Sequence, residues 1–402
     1  MAPTLVGGAM PAALRLGLFF AALFVGSGAS LPFIPVWFKG QGLSPVQLGV
    51  LLSFPYFGRT LAGPALALWA DSFRLRRTPM AWMALGATLS FAALWLVHGF
   101  WPWLIAWFLG STLLGALSPL GDVIALRQSR DKGFAYGLPR GIGSMAYVCG
   151  NVGMGLVLAR TGPNAVLIWT VTAAAVTSVA AMWLLPSVPV HDGGATVPGR
   201  ELLAGLGDLL RQPAFVLAIV VVGLIQSSHG FYYSFSTLAW RQQGLGAWTG
   251  PLWGFAVGVE VLFMWFLEPW RRRMGPEKLL IIGGAGATIR WLALSFSPPL
   301  WLLFPIQALH SLSFTATFMG SLRLMERLSP PKSASAAQTL NSAFSGGVLI
   351  GLTTVASGPL FAWFGPRGYL AMALISTLGV AGAVWLARVM RGLSPTGPGR
   401  AA

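Results

Sequence analysis

Residues 37–43 read WFKGQGL and residues 240–245 read WRQQGL, each a tryptophan, a basic residue close behind it, a glutamine and a Gly-Leu pair. An apolar run follows each stretch, and a basic cluster ends each run: SFRLRR at 72–77 and PWRRRMG at 269–275. The echo returns at an offset of about 202 residues, which reads as one unit duplicated within the chain. Composition says what kind of unit it is. Of 402 residues, 55% are hydrophobic and 9% charged, with 18 Trp, 25 Phe and 51 Gly. Soluble domains carry about a quarter charged residues, so the surroundings of this chain are apolar.

Apolar stretches of about 20 residues, enough to cross a hydrocarbon core of about 30 Å, recur along almost the whole length. About twelve spans are expected, at 14–37, 45–70, 78–98, 102–126, 138–160, 163–186, 213–238, 248–270, 278–297, 299–322, 335–357 and 367–390. The first is too long for a signal-peptide core and carries Pro32 and Pro35, so it is kept as a span.

Lys and Arg number 26 against 10 acids, a net charge of +16. In a soluble chain that excess would suggest nucleic acid. Here Lys39, Arg160, Arg241 and Arg367 fall on one side, Arg59 and Arg290 lie within spans, and the remainder sit at the opposite ends and loops. The positive-inside rule then places both termini in the cytoplasm. The basic charge is a topology signal, with anionic lipid and no nucleic acid as its partner. The longest polar interruption, SVPVHDGGATVPGRELLAGLGDLLRQ at 187–212, separates a six-helix bundle at 1–186 from another at 213–402 and reads as a cytoplasmic linker, with a short amphipathic helix from Arg200.

Charges inside the spans are the candidate functional groups, because a charge in the bilayer is costly. Glu260 interrupts AVGVEVLFMWF at 256–266, and Arg290 and His310 stand at similar depth in the two following spans. They are expected to meet, with Glu260 paired to Arg290. Gln307, His310, Phe314 and Thr317 share one helical face, as do Gln226, His229 and Tyr233. These faces suit a water-accessible cavity for an amphipathic solute. Nearer the cytoplasm, Ser111, Gly115, Ser118 and Asp122 form one stripe, and Arg140, Ser144, Tyr147 and Asn151 another. Asp122 and Arg140 either pair as a gate or divide anion and proton binding between them. Arg59 is expected against a backbone carbonyl or Asp122.

No Ser/His/Asp arrangement, phosphate-cradling loop or metal-ligand spacing competes, so the chain reads as a non-enzyme without metal or cofactor. The single Cys149 excludes an intramolecular disulfide.

Seven stretches carry a family resemblance over essentially the whole chain: LPFIPVWFKGQGLSPVQLGVLL (31–52), PLGDVIAL (119–126), YGLPRGIGS (136–144), HGFYYSF (229–235), GVEVLFMWF (258–266), IRWLAL (289–294) and LHSLSF (309–314). Together they resemble the major facilitator superfamily, and within it the phenylpropionate permease branch related to lactose permease-type proton symporters. The resemblance implies an all-α membrane protein of two six-helix bundles around a cavity, working by alternating access in a bacterial inner membrane, as a monomer, with the proton as coupling ion. Glu260, Arg290 and His310 match the types and positions that serve coupling in those relatives. Asp122 and Arg140 resemble the pair that binds sugar there. The relatives' carboxylate one turn after the His is absent, since Ser313 and Phe314 stand there, which moves the expected proton carrier to Glu260, with His310 second. The loop motif after the second span keeps Asp71, Arg76 and Arg77, a gating set to which Arg59 is added, but lacks its usual glycine.

The implied activity is proton-coupled import of an aromatic carboxylate. Its carboxylate would lie on Arg140 or Arg290, its ring against Phe231, Tyr232, Tyr233 or Trp253, with His229, Tyr147, Asn151 and Gln307 lining the site. A proton symporter for a neutral sugar or nucleoside, and a proton-antiport drug exporter, remain open at this point.

Overall fold

The computed structural model describes residues 10–190, 207–267, 270, 273–330 and 333–393. Arg271, Arg272 and the expected helix from Arg200 lie outside the described residues. The helices are α1 Ala12–Gly40, α2 Pro45–Asp71, α3 Arg77–Ala93, α4 Phe100–Gly115, α5 Leu117–Lys132, α6 Gly137–Arg160, α7 Asn164–Trp183, α8 Pro213–Ser227, α9 Gly230–Gln242, α10 Thr249–Phe266, α11 Pro276–Ser295, α12 Leu300–Ala308, α13 Thr317–Leu328, α14 Ala334–Ala343, α15 Ile350–Phe364 and α16 Tyr369–Leu393. Two π-helical segments, Ser311–Ala316 and Phe344–Leu349, join α12 to α13 and α14 to α15.

Among the described residues, nine segments are long and apolar enough to cross a membrane. The last, Ala336–Gly392, covers two of the expected twelve spans, and the expected spans at 45–70 and 78–98 fall on α2 and α3. The protein is an all-helical membrane protein.

The repeated motif of the opening paragraph ends a helix twice in the same way. Gly42 and Gly244 take φ of 90° and 78°, a conformation that costs glycine little and stops a helix. Their N–H groups bond back to Lys39 O at 3.0 Å and Arg241 O at 3.1 Å. The motif tryptophans Trp37 and Trp240 are buried, and Trp37 Nε1 donates to Asn164 Oδ1 at 3.0 Å.

The chain divides into two compact units, Met1–Gly42 with Leu61–Gly194, and Leu43–Thr60 with Ala195–Ala402. In the first, Leu16, Phe19, Phe20 and Leu23 of α1 pack with Met80, Met83 and Ala84 of α3 and with Leu117 and Ile124 of α5. Gly28 and Gly150 let α1 and α6 touch backbone to backbone, at Tyr147 O and Val25 O respectively. A short ladder joins the loop after α2 to residues 188–190: Arg76 N–H donates to Val188 O at 3.0 Å and Val190 N–H to Arg74 O at 3.1 Å. In the second unit, α2 approaches α15 where a Cβ on Gly358 would meet Pro45 O at 2.7 Å.

Two discontinuities in the second unit position the site. Between α8 and α9, Ser228 Oγ takes Ile225 O at 2.7 Å, which competes with the helical ladder. The carbonyl of Ser227 is recovered by Thr353 Oγ1 at 2.7 Å, so the break leaves no orphan there. His229 stands at that break. His310 stands at the second, after Pro305 in α12 and immediately before the π segment. Wider π turns of this kind cluster at functional sites.

Candidate functional site

Four side chains from α10, α11, α12 and the turn after α12 meet in the second unit. His310 Nε2 lies 3.0 Å from Glu260 Oε1, and Arg290 Nη1 lies 2.8 Å from His310 Nδ1. Arg290 Nη2 donates to Gln307 Oε1 at 2.7 Å. Gln307 Nε2 donates to the Tyr232 hydroxyl at 2.8 Å and, more weakly, to Leu252 O at 3.4 Å. Arg290 and Gln307 are fully buried, and Glu260 and His310 are 8% and 4% exposed. The direct Glu260–Arg290 pair expected above is replaced by a relay with an imidazole between the two charges.

The donors fix the protonation pattern. A guanidinium has only N–H groups, so His310 Nδ1 must accept, and the ring is the neutral tautomer carrying its hydrogen on Nε2, which donates to Glu260. An imidazolium would present N–H to Arg290 N–H, so His310 cannot hold a proton on both nitrogens while Arg290 keeps this contact. Glu260 is the one group of the three that can gain a proton without breaking the relay.

Aromatic side chains enclose the guanidinium. Its Cζ lies 4.2 Å from the Tyr232 ring centroid and 4.7 Å from that of Trp291, contacts that favour a cation. Tyr232 lies 4.4 Å from Trp253, and Tyr233 stacks on Trp253 at 6.0 Å. Phe314 stacks on the His310 ring at 5.5 Å. His229 Nδ1 faces Gln226 O at 3.0 Å, so it is the donor, which leaves Nε2 to accept from Ser313 Oγ at 3.1 Å. The His229 and His310 rings are 5.4 Å apart. Phe231 packs elsewhere, against Tyr369, Phe235 and Phe361.

The first unit holds a second charged group. Arg140 Nη1 of α6 lies 3.4 Å from Asp122 Oδ1 of α5 and donates to Ser118 Oγ at 3.2 Å. Tyr136 donates its hydroxyl to Asp122 at 2.9 Å. Gly133, at φ 72°, closes α5 and turns the chain so that these residues face across a short loop. The Arg140 guanidinium rests on Phe20 and Phe24, 5.1 and 4.8 Å from their centroids. Burial and the adjoining Asp122 push the Tyr136 phenol up to about 12, so it stays a donor at neutral pH. Asp122 and Arg140 are about 30% exposed.

The remaining expected residues are dispersed. Asn151 is buried and bonds back to Tyr147 O at 3.0 Å. Asp71 pairs with Arg76 at 3.3 Å, and Arg76 also donates to Val190 O. Arg77 opens α3. Arg59 is exposed, with its guanidinium 5.0 Å from the Tyr56 ring. Phe20, Phe24, Tyr136, Trp291 and Ser313 join the two groups without having been singled out. The one available signal was the four-residue spacing of Phe20 and Phe24, which puts two rings on one face of α1.

Residues 13–371 match the family described as MFS_1 like family. The chain is a member of the major facilitator superfamily. It is therefore a multi-pass membrane transporter and not an enzyme. It is 27% identical over 363 residues to the probable 3-phenylpropionic acid transporter of Escherichia coli (strain K12), covering 90% of this chain and 94% of that one. To the maltose permease of Geobacillus stearothermophilus it is 26% identical, covering 92% and 93%. The crystal structure of the nucleoside transporter NupG superimposes with a TM-score of 0.80 at 14% identity, over 95% of this chain and all of that one. At that identity the likeness is one of fold.

Proposed function

We propose that this transporter imports a small aromatic carboxylate, such as 3-phenylpropionate, together with one proton by alternating access. The observation that carries the reading is the buried relay Glu260–His310–Arg290, walled by Tyr232, Trp253 and Trp291. With Glu260 ionised, Arg290 is compensated through the neutral imidazole. A proton on Glu260 removes that compensation, and a solute carboxylate restores it. Proton and anion therefore bind as a pair, since either alone leaves a buried charge unmatched. A cycle that carries both moves no net charge, so the pH gradient drives it and the membrane potential, worth about 2.3 kcal/mol per charge per 100 mV, contributes little.

Arg290 is the carboxylate anchor in this reading, because Arg140 already has Asp122 as counter-ion. The rings of Tyr232, Tyr233 and Trp253 receive the aromatic part, with His229 beside them; within the first unit, Tyr147 and Asn151 are proposed as solute contacts. Asp122 with Arg140, Asp71 with Arg76 and Arg77, and Arg59 serve the gates. The two bundles are taken as 1–186 and 213–402, joined by 187–212. The protein works as a monomer in a bacterial inner membrane, both termini cytoplasmic, with no cofactor beyond the proton. The 3-phenylpropionic acid transporter among its relatives supports this substrate class.

A second reading is proton symport of a neutral sugar. A charge-matched Asp122–Arg140 pair flanked by Ser118 and Tyr136 offers donors and acceptors to hydroxyls without net charge, and one relative is named a maltose permease. Counterflow separates the two. Proteoliposomes preloaded with 3-phenylpropionate are expected to take up the labelled acid, with competition from other aromatic carboxylates and none from maltose or nucleosides. Competition by maltose alone would transfer the assignment to the sugar reading.

A further inference from the structure

We infer that Gln307 is a positioning residue for proton coupling and not a ligand of the solute; this rests on the proton-coupled reading above. Gln307 precedes His310 by three residues and shares its helical face. It is fully buried, and its amide orientation follows from its neighbours. Arg290 Nη2 can only donate, so the atom 2.7 Å away is Oε1. The amide nitrogen then faces the Tyr232 hydroxyl at 2.8 Å and Leu252 O at 3.4 Å. One side chain thus ties α12 to α9, α10 and α11.

The consequence lies in what Arg290 is kept from doing. Each terminal nitrogen gives one of its two N–H groups, to His310 and to Gln307, and Nε has no partner, so three of the five donors are left over. Charge attraction draws the guanidinium toward Glu260, and a fork-shaped cation pairs best with a carboxylate directly. The Gln307 oxygen holds the second amino group off that course, so the charges communicate through the imidazole. A direct pair would have to be broken before Glu260 accepted a proton. Gln307 also grips the hydroxyl of Tyr232, the ring that carries the guanidinium at 4.2 Å and contacts Trp253 at 4.4 Å. A solute ring that displaces Tyr232 therefore pulls on the same amide that sets Arg290, which joins solute recognition to the proton site.

The test uses Gln307→Met, which keeps the volume and removes all three side-chain hydrogen bonds, with full-length protein in liposomes and labelled 3-phenylpropionate. Uphill uptake under an inward proton gradient should fall by about tenfold or more, the scale of a lost buried charged hydrogen bond. Equilibrium exchange, which needs no net proton movement, should stay within about twofold. Tyr232→Phe should also lower uphill uptake, and the double variant should be no worse than Gln307→Met, since both cut one chain. Parallel loss of exchange and uphill uptake would overturn the assignment in favour of a solute ligand. Full gradient-driven uptake by Gln307→Met would overturn it outright. A wild type whose uptake ignores the gradient would sink the proton-coupled reading, a result distinguishable because no variant is needed to see it.

Discussion

Replacing Glu260 by glutamine removes one charge and leaves an oxygen where His310 Nε2 now donates at 3.0 Å. The imidazole and Arg290 keep their geometry, but the fully buried guanidinium loses its only compensating charge within the relay. Stranding a buried ion costs about 3–5 kcal/mol; with the hydrogen bond retained, the lower end applies, about 3 kcal/mol. At about 2–4 °C per kcal/mol for a unit of this size, the melting temperature should drop by about 6–12 °C. An aromatic carboxylate then becomes the missing counter-ion. Its charged hydrogen bond to Arg290 is worth about 1.5–3 kcal/mol, so 3-phenylpropionate should bind Glu260→Gln about 10- to 100-fold more tightly than wild type at alkaline pH. Wild-type binding should weaken as pH rises, because each anion must bring a proton, while the variant's stays flat. Calorimetry and thermal shift of purified protein at several pH values, with 3-phenylpropionamide as the uncharged control, measure all of this. Equal or weaker acid binding by the variant, or equal stabilisation by the amide, would refute charge replacement at Arg290.

Three further outcomes are expected. Arg140→Gln should change 3-phenylpropionate affinity by no more than about fivefold in the same calorimetry, since a partly exposed, already paired charge contributes about 1 kcal/mol or less; a loss of a hundredfold would make Arg140 the anchor. Tyr136→Phe removes the 2.9 Å bond to Asp122 and should slow uptake by about fivefold, the scale of one hydrogen bond of about 1 kcal/mol. Because burial and Asp122 push the phenol up to about 12, the ratio of variant to wild-type uptake should be constant between pH 6 and about 9. Gly358→Val places a Cβ 2.7 Å from Pro45 O and 2.9 Å from Val46 Cα, both backbone. Overpacking there should cost about 1–3 kcal/mol and lower the melting temperature by several degrees, read by thermal shift.

The fold was legible because its signals are one-dimensional. Twelve apolar runs, the WFKGQGL echo and the sidedness of arginine need no tertiary knowledge, and Gly42 and Gly244 end their helices as that echo implies. Glu260, Arg290 and His310 stood out because charge is rare in an apolar background, and they do meet. Their order of contact was not legible. It depends on how α10, α11 and α12 are rotated about their axes, and on the break at His310 and the π segment after it, which shift side chains off regular helical spacing. Gln307 was visible as a polar residue on the right face, but only distances to Arg290 and Tyr232 distinguish a clamp from a ligand. Phe20 and Phe24 look like any lipid-facing pair until α6 brings Arg140 above them. Tyr136 lies in a loop whose path periodicity does not describe.

The most direct test of the account is proton movement itself. A pulse of 3-phenylpropionate added to lightly buffered proteoliposomes should make the outside more alkaline in step with labelled uptake, one proton per anion, and a potential imposed with potassium and valinomycin should leave the rate unchanged. Uptake of the acid with no alkalinisation, or a rate that follows the potential, would contradict electroneutral coupling through Glu260 and Arg290.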